Sequence, residues 1–215
     1  EEVAAFHRCK IPCDNFESDT KYHIVVPFYN AEKWLPRCID SIRRQKHDNF
    51  RCTLIDDVSE DKSYAVSKMM TEGDGRFQVI QNKEKNYALK NIYNALSAEG
   101  NDAEEVAVLL EGDDWFASSR SLNALNKIYA DEDSWMTYGS YVLHPHGIVG
   151  PEPSQYPDEV IDNNSFREDR WRASHLRTFK CHLWNRIDAE DLKDEKGNFY
   201  DVSYDQAIML PLLEM

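Results

Sequence analysis

The chain has 215 residues, 41% hydrophobic and 12% aromatic, enough for one sizeable core with at most a small annex. Lys plus Arg number 25 and Asp plus Glu 39, a formal net charge of −14, so nucleic acid and anionic membrane surfaces are poor partners. No apolar run is long enough to span a bilayer.

No signal peptide is visible, residue 1 is Glu, and Leu210-Pro-Leu-Leu-Glu-Met215 stops in mid-pattern. The expectation is a soluble part of a longer polypeptide, with the cytoplasm favoured over a secretory lumen. The five cysteines, Cys9, Cys13, Cys38, Cys52 and Cys181, form no CxxC pair, which argues against a disulfide framework and a zinc site. Cys38 and Cys52 sit in apolar patterns and read as core residues. Cys9 and Cys13 lie in a polar arm, where they are free to pair.

Residues 1–21 show no sustained periodicity and read as an N-terminal arm or linker. His23-Ile-Val-Val-Pro-Phe28 is a strand, and Tyr29-Asn30 form a turn. A helix is predicted from Ala31 to Lys46, with Trp34, Leu35, Cys38, Ile39 and Ile42 on one face. Arg51-Cys-Thr-Leu-Ile55 is a second strand, running into Asp56-Asp57. A helix over Asp61–Glu72 is stopped by Gly73-Asp-Gly75. Phe77-Gln-Val-Ile80 is a third strand, and Asn86–Ala98 a helix with Leu89, Ile92, Tyr93 and Leu96 on one face. The run Val106-Ala-Val-Leu-Leu110 is a fourth strand, and Ser118–Tyr129 a helix.

Strands alternating with helices predict an α/β fold, with a single Rossmann-like, mainly parallel sheet flanked by helices. Right-handed crossovers put the strand C-termini on one rim. Tyr29-Asn30, Asp56-Asp57 and Glu111-Gly-Asp-Asp114 then line that rim together, where open α/β sheets bind ligands. Glu111, Asp113 and Asp114 offer the oxygen ligands that a hard divalent cation requires. The alternative for this stretch alone is a solvated acidic turn.

Beyond Trp135-Met-Thr-Tyr138 the pattern changes. Residues 144–166, rich in Pro, Gly, Asp and Asn, read as an irregular segment of the kind that holds a second substrate. Phe166–Trp184 is basic and aromatic, with Arg167, Arg170, Arg172, Arg177 and Lys180. A last helix starts near Ser203, and Pro211 should end or kink it.

These residues resemble the family 2 glycosyltransferases of the GT-A fold, over residues 22–140 and again in the last fifteen. Val25-Val-Pro-Phe-Tyr-Asn30 looks like the family's opening strand and turn, which implies that Pro27, Phe28, Tyr29 and Asn30 cradle the uracil of a UDP-sugar. Ile55-Asp-Asp-Val-Ser-Glu-Asp61 is similar to a family segment in which an Asp accepts from the base N–H, implicating Asp56 and Asp57. Val58 stands where that segment has Gly. Asn86-Tyr-Ala-Leu-Lys-Asn91 matches a third segment in outline, and Lys90 would take the place of its cation near the diphosphate.

Glu111-Gly-Asp-Asp114 looks like the DxD-type motif with Glu in first place. The resemblance puts Glu111, Gly112 and Asp113 against the donor, and the metal, Mn²⁺ or Mg²⁺, on Asp113 with Glu111 and Asp114. Tyr204-Asp205-Gln206 resembles the family's helix start, whose Asp is the catalytic base. The implied activity is a metal-dependent, inverting hexosyl transfer from a UDP-sugar to an acceptor hydroxyl of a polysaccharide, a lipid-linked glycan or a protein such as one bearing hydroxylysine. Residues 22–143 would be the nucleotide-sugar-binding half and 144–215 the acceptor side. The alternatives are a nucleotide-sugar-binding module without turnover, and a nucleotidyltransferase. Against the latter, Pro27-Phe-Tyr-Asn30 lacks the glycines of a phosphate loop. His144 and His146 are candidates for a further metal ligand, and His175 for acceptor or phosphate contact. Arg167-Glu-Asp-Arg-Trp171 matches a motif of processive synthases, but it precedes Asp205 here instead of following it.

Overall fold

The structure, a computed structural model, describes residues 18–99, 101–151 and 153–215. At its centre is β1 (Tyr22–Phe28), with all seven residues buried. A strand buried on both faces belongs inside a parallel sheet covered by helices. β2 (Phe50–Asp56) and β4 (Val106–Leu109) flank it in parallel, and β3 (Phe77–Gln81) pairs in parallel with β2. The connecting helices are α1 (Leu35–Arg43), α2 (Ser63–Thr71) and α3 (Tyr87–Leu96), and α4 (Ser121–Tyr129) follows β4. α1 starts four residues later than the periodicity suggests, because Pro36 is suited to a first helical turn.

Alternation along β1 sends Tyr22, Ile24, Val26 and Phe28 to one face, against Leu35, Ile39 and Ile42 of α1 and Leu122 and Leu125 of α4. Val25 faces the other way, toward Leu89, Ile92 and Leu96 of α3 and Ile208, Met209 and Leu212 of α7 (Tyr204–Leu213). Each such side chain contributes about 1.5–3 kcal/mol on burial, so the two layers fix the helices to the sheet. Pro27 is tolerated in the central strand because its register with β4 ends at Val25↔Leu109, so its missing N–H removes no ladder bond.

The second half departs from the sequence reading. The basic segment 166–184 contains a core strand, β8 (Ser174–Lys180), followed by the short α6 (Cys181–Trp184). The sheet order is β3-β2-β1-β4-β8-β5, with β8 antiparallel to both β4 and β5 (Met136–Gly139). Arg177 and Lys180 occupy positions where a strand pattern would show apolar residues, which hid it. Residues 144–166 are less irregular than expected: β6 (Val142–Leu143) and β7 (Ile148–Val149) form a hairpin, and α5 (Asp158–Asp162) follows. α7 runs through Pro211 and ends two residues later. The Pro lies in the last turn, where little helix is left to disturb.

Cys38, Cys52 and Cys181 are free and buried, as core residues should be. Cys9, Cys13 and most of the 1–21 arm lie outside the described residues. No helix among the described residues is long and apolar enough to cross a membrane.

Candidate active site

The parallel strands end on one rim, and a cleft of about 290 Å³ opens there. Its walls include Pro27, Phe28, Tyr29 and Asn30 after β1, Asp57 after β2, Asn91 on α3, and Glu111, Gly112 and Asp113 after β4. Three sequence-distant clusters are thus brought together as the βαβ pattern requires. Gly112 must lack a side chain, since a Cβ there would collide with the Cβ of Phe28.

The β1 and β2 loops are stitched to each other. Asn30, at φ +49°, accepts from the Glu60 amide at 2.8 Å, and its own amide donates to Ser59 Oγ at 3.0 Å. The Ala31 amide donates to Ser63 Oγ at 2.8 Å and Glu32 N to Asp61 Oδ2 at 3.1 Å. Val58 adopts φ +64°, the conformation that the family's Gly would take freely. Asp56 is fully buried beneath the cleft, accepting from Ser59 N at 3.3 Å and from Gln81 Nε2 at 3.3 Å. It braces the turn, whereas Asp57 reaches the cleft wall.

Asp57 Oδ1 accepts from Asn82 Nδ2 and the Asn86 amide, both at 2.8 Å, and Oδ2 from the Tyr87 amide at 2.9 Å. Tyr87 adopts φ +59°. Burial works against the charge on Asp57, but these hydrogen bonds outweigh it and hold the carboxyl below its ordinary value. Lys85 Nζ lies 3.9 Å from Asp57 Oδ2 and over the ring of Tyr29. Lys90 turns instead to Glu84, 3.9 Å away, and is not part of the cleft wall.

Beyond the end of β4 a second cluster forms. His175 Nε2 on β8 stands 3.5 Å from Glu111 Oε1 and 3.4 Å from Asp114 Oδ2. Ligand atoms of Glu111, Asp114 and His175 lie within 4.8 Å of one another, close enough to share an ion. Asp113 is exposed on the cleft and outside that group. Tyr204 donates a short hydrogen bond to Glu111 Oε1. Arg177, only 3% exposed, is 4.0 Å from Glu111 Oε1 and 3.5 Å from Asp205 Oδ2. Burial opposes the charge on Glu111, but the bonds from His175 and Tyr204, with Arg177 nearby, hold its carboxyl low. Burial pushes Asp114 up to about 6, opposed by His175 and reinforced by Glu111 and Asp113.

The structure therefore gathers Pro27 to Asn30, Asp57 and Glu111 to Asp113 around the cleft. Asp114 and Asp205 join a polar group with His175, Arg177 and Tyr204. Sequence reasoning offered His175 and Arg177 to acceptor or phosphate, did not bring them to the acidic motif, and passed over Lys85. The basic run in an acidic chain was the available signal for the first two. His144 does not approach the acidic group: it accompanies Arg37 at 3.3 Å and the edge of Trp115. Trp115 stacks on Trp34 with centroids 6.2 Å apart, under Arg37 at 3.9 Å. Arg167 pairs with Glu214 at 2.6 Å, so the Arg167–Trp171 motif braces α7.

The donor set fits a divalent cation. Two carboxylates and one imidazole suit Mn²⁺ better than Mg²⁺, which prefers oxygen alone.

Comparison with known proteins gives the same fold. The family profile described as Glycosyl transferase family 2 matches residues 23–188. The glycosyltransferase GlyA of Streptococcus pneumoniae serotype 4 is 25% identical over 178 residues, covering 79% of this chain and 24% of GlyA. Among solved structures, S. aureus TarS residues 1–349 superimpose with a TM-score of 0.63 at 16% identity, over 91% of this chain and 55% of that one. The mannosyltransferase PcManGT from Pyrobaculum calidifontis, in complex with GDP-Man and Mn²⁺, gives a TM-score of 0.55 at 18% identity, over 84% and 52%. TarS 1–349 has also been solved in complex with UDP-GlcNAc. The chain spans about a quarter of the length of GlyA and about half that of the two solved chains. These folds are GT-A, and the mainly parallel sheet described above is the GT-A sheet.

Proposed function

The chain belongs to glycosyltransferase family 2, and from that premise we propose that it moves a hexose from a UDP-sugar to an acceptor hydroxyl with inversion, using a divalent cation. The observation that carries this reading is the meeting, on one sheet edge, of a cleft walled by Asp57 and Gly112 with an acidic group that Arg177 links to Asp205. The UDP-GlcNAc complex of TarS and the GDP-Man and Mn²⁺ complex of PcManGT support it by analogy of fold. In this reading residues 22–143 hold the donor, and 144–215 face the acceptor and supply the base.

The leaving diphosphate gains charge as the glycosidic bond breaks. A cation held by Glu111, Asp114 and His175, with Asp113 beside it on the cleft, would supply neutralisation of that charge. Asp205 takes the proton of the attacking hydroxyl. Arg177, 3.5 Å from Asp205 Oδ2, orients that carboxylate. A single displacement puts the base on the sugar face opposite the diphosphate. The acceptor hydroxyl belongs to a polysaccharide, a lipid-linked glycan or a protein.

The test is UDP release from UDP-glucose, UDP-galactose and UDP-GlcNAc with Mn²⁺. Asp205→Asn should lower turnover by about 10²–10⁴-fold while leaving UDP binding intact. Asp205→Asn turning over at the wild-type rate would remove the base assignment. His175→Ala should weaken Mn²⁺ binding by about 10-fold or more, read by the electron paramagnetic resonance of the free ion. Release from no donor by a folded protein that still binds UDP would favour the binding module without turnover.

A further inference from the structure

We infer that Lys33, Arg37 and His144, gathered on the stacked rings of Trp34 and Trp115 beside the cleft, form a subsite for an anionic group, a carboxylate or a phosphate, on an acceptor glycan. The inference rests on the glycosyl-transfer reading above and deepens it by giving the acceptor a charge.

Lys33 and Arg37 are exposed, and neither forms an ion pair among the described residues. In a chain of net charge −14, carboxylates are in excess. The nearby ones are engaged elsewhere: Glu32 accepts from the Lys62 amide at 2.7 Å, Asp40 pairs with Arg44 at 2.9 Å, and Asp114 faces His175 at 3.4 Å.

The two cations lie on aromatic faces instead. Lys33 Nζ is 4.3 Å from the ring centroid of Trp34, and the Arg37 guanidinium is 3.9 Å from that of Trp115. A ring quadrupole attracts a cation without neutralising it, so the charge and the N–H groups remain for a ligand. The rings brace each other at an interplanar angle of 24°, and His144 meets Trp115 edge-on at 5.2 Å. Arg37 Nη1 lies 3.3 Å from His144 Nε2. A guanidinium only donates, so Nε2 accepts and the imidazole hydrogen is on Nδ1, a further donor. The planar fork of an arginine matches the paired oxygens of a carboxylate or phosphate.

Position assigns the anion to the second substrate. Trp34 lines the cleft, Trp115 directly follows the acidic motif after β4, and His144 lies in the turn of the β6–β7 hairpin. In the order β3-β2-β1-β4-β8-β5, β4 lies on one side of β1, and β2, which leads into Asp57, lies on the other. The donor's own negative charge, its diphosphate, is met by the cation of the acidic group. An anion at Arg37 is then carried by the acceptor, whose side of the chain contributes His144.

The test is titration of the chain, without added metal, with glucuronate, glucose 6-phosphate, glucose and inorganic phosphate, followed by the indole N–H signals of Trp34 and Trp115. At least one anionic sugar should bind about tenfold more tightly than glucose or inorganic phosphate. Preference for glucuronate alone would assign a carboxylate, and for glucose 6-phosphate alone a phosphate. Arg37→Gln, at an exposed position, should remove the preference and leave calorimetric UDP binding with Mn²⁺ as in the wild type. Glucose binding as tightly as both anionic sugars would overturn the inference. So would inorganic phosphate binding as tightly as they do, the mark of a bare ion site. A loss of UDP affinity in Arg37→Gln would also overturn it, by making Arg37 a partner of the diphosphate. A folded protein that prefers anionic sugars but binds no UDP would defeat the nucleotide-sugar reading, a distinct result.

Discussion

Val58 shows how a single residue carries a cost that the fold tolerates. Its φ of +64° is a conformation that a β-branched side chain resists by about 1–2 kcal/mol. Val58→Gly would relieve that strain and lose about 0.5–1 kcal/mol through the freer unfolded chain. The net expectation is a gain of about 1 kcal/mol, or a rise of about 2–4 °C in Tm by calorimetry; a fall in Tm would contradict it. Asp57 gives a pH signature. Its folded pKa lies below the ordinary carboxylate value, so its stabilising effect is present above that value and fades as pH falls through the depressed one. Asp57→Asn should therefore cost about 1–3 kcal/mol at pH 7 in urea unfolding. The gap from wild type should close as the pH drops below about 4. A gap that stays constant down to pH 3 would show that the hydrogen bonds do not depend on the charge.

Among the elements, the loop after β4 and the start of α7 are where small changes should tell most. Gly112→Ala drives a methyl group into Phe28 at the end of the central strand. It should cost about 1–3 kcal/mol and weaken UDP binding with it, since the wall of the cleft must shift. Tyr204→Phe removes the donor that ties α7 to Glu111. A hydrogen bond to a charged group of this kind contributes about 1.5–3 kcal/mol, and chemical unfolding of the variant should show that loss. The elements that sequence made legible were those whose pattern matched their burial. Leu35, Cys38, Ile39 and Ile42 of α1 are at helical spacing and all buried, and β1 is an apolar run buried from end to end. β8 was not legible, because Arg177 and Thr178 are buried polar residues inside a sheet. The acidic motif was readable as a motif, but the imidazole beside it was not. His175 reaches Glu111 and Asp114 only because β8 pairs antiparallel with β4, and no local pattern reports that pairing.

For the molecule as a whole, the net charge of −14 is an unfavourable self-energy that the compact state must carry. Added salt screens it, with the Debye length falling from about 30 Å at 0.01 M to about 8 Å at 0.15 M. Tm should rise by a few degrees over that range in NaCl, as a thermal scan would register. A flat or falling Tm would mean that local ion pairs such as Arg51–Glu105, at 2.6 Å, outweigh the repulsion.

Gly139 at the end of β5 is in register with Ser174 at the start of β8. A Cβ on Gly139 would come within 3.0 Å of the His175 carbonyl, so the two backbones pass close to each other. Everything from residue 140 to 173 is thus an excursion that leaves and rejoins the sheet at a single clasp. Between those ends the excursion is not loose: Tyr156 and Phe166 are buried with Ile208 and Met209 of α7, Arg167 reaches Glu214, and Tyr141 meets the ring of His175 edge-on at 5.4 Å. A change of length or sequence within it is therefore transmitted to α7 and to the imidazole beside the acidic motif.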